Sequence, residues 1–157
     1  MFIATADAKG QCDCSFRAGL PGFVRVLDQT TLVYPEYRGN GILANISENA
    51  HMGLMFIDFL RDTIGLHVNG KTRLIENSEL LQRLDISDEV RQDIAVKGDR
   101  RPERWVLVEL EEAYIHCSKH IPQLVKHEKT IAWETDDSRL KGGDYFKVAA
   151  CQTRRST

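Results

Sequence analysis

The chain has 157 residues, of which 42% are hydrophobic and 28% are charged, as in an ordinary globular protein. This length predicts one domain over residues 1–157 that buries its core without disulfides or structural metals. The net charge of −2 and the pI of about 6.2 argue against binding to nucleic acids or to acidic membranes. Because the chain lacks a membrane-length apolar run and a signal-peptide layout, we expect a cytoplasmic protein.

The four cysteines do not have the spacing of a metal or redox site. Cys12 and Cys14 lie two residues apart in a segment with strand character, so their side chains share a face. Cys117 and Cys151 are single, and the sequence contains no CxxC pair of the kind that zinc and dithiol sites use. We therefore predict no metal site and expect reduced thiols that are buried or half-buried.

The first third of the chain combines four short β-prone segments with one helix. Turn residues separate the segments, and the third and fourth form a hairpin around residues 28–30. Isoleucines at positions 42 and 46 recur at helical spacing. The predicted elements are strands at residues 2–5, 11–17, 23–27 and 31–35 and a two-turn helix at residues 42–49.

Three longer segments follow. A near-continuous apolar run at residues 53–59 predicts a strand buried on both faces. A long strand is predicted at residues 64–76, where Gly70 indicates a bulge or a barrel corner. Residues 77–104 form a charged excursion that we expect to be exposed and partly helical, and strand alternation returns at residues 105–115.

These elements predict a mainly β fold. Six or seven strands with short turns favour a small antiparallel β-barrel that carries a few short peripheral helices. We expect closure into a barrel to remove unpaired strand edges. The remaining residues, 141–157, are predicted to form a tail that starts with a Lys-Gly-Gly loop.

A polar loop, Arg38-Gly39-Asn40-Gly41, joins the fourth strand to the first helix. A cation and two glycines at a helix N-terminus suit a phosphate, because the first N–H groups there lack intrahelical partners and the helix dipole favours an anion. An ordinary glycine-rich connection with a solvated arginine is the alternative. The loop alone does not distinguish the two.

Five longer motifs indicate a specific protein family. They are FIATAD at residues 2–7, GLPGFVRVLD at 19–28, TLVYPEYRGNG at 31–41 and ISENAHMGLMFIDF at 46–59, followed by LHVNGKTRLIE at 66–76. In this combination the chain resembles the pyridoxamine 5′-phosphate oxidase-like flavoproteins, the FMN-binding split barrels. The resemblance runs from Phe2 to about Glu76 and resumes at residues 105–119. It implies a split barrel of six or seven strands and an obligate homodimer with two FMN sites at its interface.

The resemblance also implies a set of cofactor-binding residues. The backbone of residues 23–25 is expected to line the flavin ring and ribityl chain, the loop after the fourth strand to hold the phosphate, and residues 65–68 to approach from the other side of the site. The set is Phe23, Val24, Arg25, Pro35, Tyr37, Arg38, Asn40, Asn45, Gly65, His67 and Lys119. Three of these residues have an alternative interpretation. Arg25 could be solvated, His67 could be a hydrogen-bonded histidine within the sheet, and Lys119 could lie on the surface.

The sequence departs from a true pyridoxamine phosphate oxidase in three places. The phosphate loop of that enzyme carries an adjacent Arg-Lys pair, whereas here only Arg38 is basic. No Tyr, Arg and Ser cluster for the substrate phosphate is evident, and the chain starts almost inside the first strand rather than with a helical segment. We therefore expect an FMN-dependent oxidoreductase that acts on a different small molecule.

Three alternatives remain open. They are a deazaflavin-dependent reductase on the same scaffold, a flavin-binding or storage protein with little catalysis, and a dimer that binds no cofactor. Since a flavin supplies its own hydride chemistry, no general base is required, and we assign no catalytic residue.

Overall fold

The computed structural model describes residues 1–37, 43–83, 86–96, 101–116 and 118–128. In this part of the chain, strands dominate and helices are short. The strands are β1 (Phe2–Ala6), β2 (Cys12–Phe16), β3 (Arg25–Asp28), β4 (Thr31–Glu36), β5 (His51–Ile57), β6 (Gly65–Ile75) and β7 (Arg104–His116). The helices are α1 (Leu43–Glu48), α2 (Asn77–Leu81) and α3 (Asp88–Ala95), and a single 3₁₀ turn spans Ser118–His120.

All seven strands belong to one antiparallel sheet in the order β2-β1-β5-β6-β7-β4-β3. This confirms the predicted mainly β class. The inward side chains of β1, β4, β5, β6 and β7 meet in one core, including Ile3, Tyr34, Leu54, Val68 and Val106. The hydrogen-bonded order ends at β2 and β3, so the sheet curls around the core but stays split there. The expectation that barrel closure removes the strand edges was therefore wrong for the described residues.

The predicted irregularity at Gly70 is confirmed as a β-bulge. The register between β6 and β7 shifts between Asn69 and Gly70, where Glu111 is the extra residue on β7. A Cβ atom at Gly70 would overlap the carbonyl group of Glu109. Glycine is required here because the two backbones approach too closely for any side chain.

The composition of the charged excursion predicted exposure throughout, but the structure buries part of it. It contains α2 and α3, and their apolar residues Leu80, Val90 and Ile94 build a second core against Trp105 and the outward side chains of β4 and β7. Three buried residues spaced across two short helices are too few to dominate the composition, which is why the sequence suggested a solvated segment. Each of these residues is at most 5% exposed.

Residues 53–59 are not buried on both faces, so that expectation was also wrong. In β5, Met52 and Leu54 point into the core, whereas the alternating Gly53 and Met55 are half-buried on the outer face. The free thiols of Cys12 and Cys14 are exposed on the edge strand β2, which contradicts their expected burial.

The outer face carries a row of large side chains across five neighbouring strands. Direct cross-strand pairing places Phe16, Phe2, Met55, His67 and Tyr114 side by side. The rings of Phe2 and Phe16 lie 5.3 Å apart, and His67 stacks on Tyr114 at 4.8 Å with an interplanar angle of 3°. We call this set the outer aromatic row.

Among the described helices, none has the length and apolar character needed to cross a membrane.

Candidate functional site

Four of the predicted cofactor-binding residues line one pocket, which lies between β3, β4 and α3. They are Phe23, Arg25, Pro35 and Tyr37. The pocket has a volume of about 250 Å³, and its other lining residues are Leu20, Pro21, Glu89, Gln92 and Asp93. We call it the β3–α3 pocket.

A tight turn places the Phe23 ring at this pocket. Gly22 has a φ of +86°, and the Phe23 N–H group donates to the Leu20 carbonyl at 2.9 Å. The Phe23 ring lies directly against the backbone of Gly19, where a Cβ atom would collide with it. Phe23 and Val24 therefore precede β3, which begins at Arg25 rather than at the predicted residue 23.

Val24 does not line the β3–α3 pocket. It lines an adjoining cavity of about 410 Å³, and Phe23 borders both. Arg17 also borders this second cavity, and its Nε atom lies 3.3 Å from Oε1 of Glu36 in an ion pair. The Glu36 side chain is fully buried, so this pair fixes the end of β4 from which the predicted phosphate loop departs.

The side chain of Arg25 is largely buried and forms an ion pair. Only 19% of it is exposed, and its Nη2 atom donates to Oδ2 of Asp93 at 2.5 Å. Its Nη1 atom lies 3.5 Å from the Phe23 carbonyl oxygen, and the guanidinium group stands 5.9 Å from the centroid of the Trp105 ring. The interpretation of Arg25 as a solvated residue was wrong.

Helix α3 supplies three residues that the sequence interpretation missed. Glu89, Gln92 and Asp93 line the pocket, although the segment was expected to be a solvated excursion. Their signal in the sequence is the pair Val90 and Ile94, whose spacing of four residues marks the buried face of a helix.

The surroundings of Glu89 on α3 lower the pKa of its carboxyl group. The Ser87 hydroxyl group, which also accepts the Val90 N–H at the start of α3, lowers the pKa of Glu89 by hydrogen bonding. The backbone N–H of Glu89 and the nearby charge of Arg25 lower this pKa further. Glu89 is therefore ionised at neutral pH.

A second group of predicted residues lies at the other end of the sheet. Gly65 pairs with His116 at the start of β6, and His67 stacks on Tyr114 and lies 5.5 Å from the His116 ring. Lys119 is exposed in the 3₁₀ turn that follows β7. We call Gly65, His67, Tyr114, His116 and Lys119 the β6–β7 group.

One protomer does not bring the two groups together. Along β7, Trp105 pairs with Pro35 of the β3–α3 pocket, whereas Tyr114 pairs with His67 of the β6–β7 group. These two positions on β7 are nine residues apart, which corresponds to about 30 Å along an extended strand. The two groups therefore lie toward opposite ends of β7 within one protomer.

The remaining predicted residues, Arg38, Asn40 and Asn45, belong to neither group. Arg38 and Asn40 lie outside the described residues. Asn45 is half-buried on α1, and its amide nitrogen donates to Oγ1 of Thr5 at 3.1 Å, so it ties α1 to β1. Its role at a phosphate stays a prediction. Among the described residues, no three His, Cys, Asp or Glu side chains are grouped closely enough to hold a metal ion.

A family profile for pyridoxamine 5′-phosphate oxidase matches residues 1–117, about three quarters of the chain. The chain belongs to this family. The match covers every described strand, all of α3 and, apart from Lys119, both residue groups of the candidate site. No curated protein matches the chain in sequence.

Three solved structures share the fold. HupZ from Group A Streptococcus is 20% identical, with 73% of this chain and 82% of that chain covered and a TM-score of 0.55. A candidate pyridoxamine 5′-phosphate oxidase from Lactobacillus delbrueckii is 22% identical, with coverages of 72% and 81% and a TM-score of 0.51. An FMN-binding protein from Syntrophomonas wolfei is 10% identical, with coverages of 73% and 74% and a TM-score of 0.51. At these identities the likeness concerns the fold alone.

Proposed function

We propose that the chain forms a homodimer that binds two FMN molecules and acts as an FMN-dependent oxidoreductase on a small molecule. Each site would combine the β3–α3 pocket of one protomer with the β6–β7 group of its partner. The observation that carries this proposal is the separation of the two groups by about 30 Å along β7. The family and the FMN-binding protein from Syntrophomonas wolfei, which has the same fold, make FMN the first cofactor to test.

The size of the pocket supports a site shared between protomers. Cofactor sites usually enclose roughly 300 to 1,000 Å³, and the β3–α3 pocket offers about 250 Å³. Its apolar residues Phe23 and Pro35 suit one face of a planar ring system. A second wall is needed to exclude water from such a ring, and a partner protomer can supply it.

The outer face of the sheet suits a second copy of this chain. The outer aromatic row ends in Phe16 and Tyr114, which are 62% and 42% exposed. Next to the row lies a groove of about 350 Å³, whose lining includes the small residues Ala4 and Gly53 together with larger polar residues such as His51 and Glu111. A ridge beside a groove is self-complementary under a two-fold axis, because each ridge can enter the groove of the other copy. Burying exposed aromatic surface would stabilise such a pair.

The residues of this chain would bind and orient the cofactor. Phe23 and Pro35 would pack against the ring, Tyr37 would border the start of the phosphate loop, and Arg38 with Asn40 would contact the phosphate. Bound FMN would supply hydride or single-electron transfer, so the protein needs to position a substrate and exclude water rather than provide an acid–base pair.

Binding of FMN tests the first part of the proposal. Purified protein should show flavin absorption near about 370 and about 450 nm, or should gain it with added FMN. Riboflavin, which lacks the phosphate, should bind at least tenfold more weakly, as should FMN to Arg38→Ala, a difference of about 1.4 kcal/mol. Lys9→Ala, which removes a cation from the β1–β2 turn, is the matched control and should leave binding unchanged. Failure of FMN to bind the wild-type dimer would overturn the proposal.

Reoxidation of the reduced holoprotein separates an enzyme from a storage protein. The photoreduced protein should transfer electrons to at least one acceptor in a panel of quinones, nitro compounds and oxygen faster than free reduced FMN does. Rates equal to those of free FMN across the panel would support storage instead. A parallel titration with a deazaflavin identifies the preferred cofactor.

A further inference from the structure

A buried ion pair joins the two ends of the curled sheet next to the β3–α3 pocket. Arg17 follows the last residue of β2, which forms one end of the hydrogen-bonded order, and Glu36 ends β4, which lies next to the other end. We propose that Arg17, acting through Glu36, is a positioning residue that holds this pocket in the shape that binds the flavin. The inference rests on the proposed function, because it takes FMN as the ligand of the pocket.

Both partners of the ion pair are held in place by the sheet. The side chains of Arg17 and Glu36 are 14% and 1% exposed, and their Nε and Oε1 atoms lie 3.3 Å apart. The N–H group of Arg17 donates to the Met1 carbonyl at 2.8 Å and so continues the ladder between β1 and β2. The Glu36 carbonyl accepts the N–H of Glu103, just before β7, at 2.8 Å. The ion pair therefore links two ordered parts of the sheet across its split.

The pocket residues Pro35 and Tyr37 lie on either side of Glu36 in the chain, and both line the β3–α3 pocket. Arg17 and Glu36 do not line it. Because Glu36 is bonded to both neighbours, a displacement of its buried carboxylate also displaces the two pocket residues. Arg17 thus acts on a ligand of the pocket through the position of the end of β4, not by direct contact.

Stability alone does not explain a buried ion pair. The removal of two charges from water costs free energy that their attraction seldom exceeds, and apolar side chains of similar volume are often at least as stable. The ion pair differs in being directional, since its hydrogen bond defines one relative position of the two sheet ends. A binding pocket needs this precision, because a displacement of about 1 Å in its supporting residues is enough to weaken a site.

The double variant Arg17→Met/Glu36→Leu separates position from stability. We expect its urea midpoint to stay close to that of wild type, whereas its dissociation constant for FMN rises at least about tenfold. The visible circular dichroism of flavin bound at saturation should change as well, because it reports the surroundings of the ring. If the double variant does not fold, Arg17→Gln provides the uncharged member of the comparison.

Arg17→Lys tests for rescue by a conservative change. Only Nε of Arg17 contacts the Glu36 carboxylate, so a lysine ammonium group can take its place. This variant should bind FMN within about threefold of wild type and keep the wild-type dichroism. Arg73→Met/Glu79→Leu is the matched control, because it makes the same substitutions in an exposed ion pair outside the pocket. It should leave FMN affinity and dichroism unchanged.

Wild-type FMN affinity in the uncharged variant would overturn the inference. So would a loss in Arg17→Lys, or in the control, as large as the loss in the uncharged variant. Failure of FMN to bind the wild-type protein overturns the proposed function instead. Hydrogen exchange of the apoprotein then tests the positioning role, which predicts faster exchange at residues 36–37 in the uncharged variant and unchanged exchange there in the control.

Discussion

The shared site can be tested by mixing two protomers that are each damaged in a different half. Tyr37→Asp places a carboxylate in the β3–α3 pocket, and His67→Ala removes the ring that stacks on Tyr114 in the β6–β7 group. Each variant alone should form homodimers in which both sites are damaged. We expect FMN affinity to fall at least tenfold in each, a loss of about 1.4 kcal/mol per site.

The mixed dimer should recover half of the sites. Two-fold symmetry places the Tyr37→Asp pocket opposite the His67→Ala group at one site, which leaves the other site intact. Mixed dimers, isolated by two different affinity tags after co-expression, should therefore bind about one FMN per dimer, against about two in wild type. Equilibrium dialysis with FMN below the dissociation constants of the homodimers measures this stoichiometry.

The outcome depends on the separation of about 30 Å between the two groups along β7. If one protomer formed the whole site, both protomers of the mixed dimer would be damaged, and no tight site would remain. A mixed dimer without tight FMN binding would refute the reasoning. Size-exclusion chromatography of each variant shows whether dimer formation itself is lost, and unaltered FMN binding by His67→Ala would remove that residue from the site.

Two further predictions concern stability. Arg17→Ala should lower the free energy of unfolding by about 3 kcal/mol in urea titrations, because it leaves the fully buried Glu36 carboxylate without its guanidinium group. The backbone N–H groups of residues 60–62 lower the pKa of Asp58 below its ordinary value of 3.8, so the contribution of Asp58 is present above about pH 4 and is lost as the pH falls through the lowered pKa. Asp58→Asn should therefore lower the urea midpoint at pH 7 and leave it nearly unchanged at the acid end.

Each of these two stability predictions can be contradicted by experiment. The double variant Arg17→Met/Glu36→Leu should recover most of the stability lost in Arg17→Ala, because apolar side chains can replace a buried ion pair. No recovery would mean that the loss comes from packing rather than from removal of the guanidinium group that faces the Glu36 carboxylate. For Asp58→Asn, a loss that is equally large at both pH values would exclude ionisation as its cause.

The sequence was sufficient to predict most of the fold and one half of the candidate site. Strand alternation and turn residues are local signals, so all seven strands were located to within about two residues at each end, and the bulge at Gly70 followed from a glycine inside a strand. Four residues of the β3–α3 pocket were in the predicted set, because the motifs that contain them are contiguous in the chain.

Long-range packing decided what the sequence could not. The start of β3 was misplaced because the turn at Gly22 depends on a positive φ and on the contact between Phe23 and Gly19. The contribution of α3 and the ion pair between Arg25 and Asp93 were missed because these two residues are 68 positions apart in the chain. Nothing in a charged, polar segment indicates which sheet it will cover.

The sequence by itself determined the class of fold and the family, because these depend on local periodicity and contiguous motifs, and the phosphate loop stays a prediction. Only the tertiary structure decided that the predicted residues form two groups about 30 Å apart along β7, and that α3 supplies an acidic wall to one of them. Strand register sets the separation of the two groups, and the docking of α3 places its carboxylates at the pocket. They arise from pairings between residues far apart in the chain, which no local pattern contains.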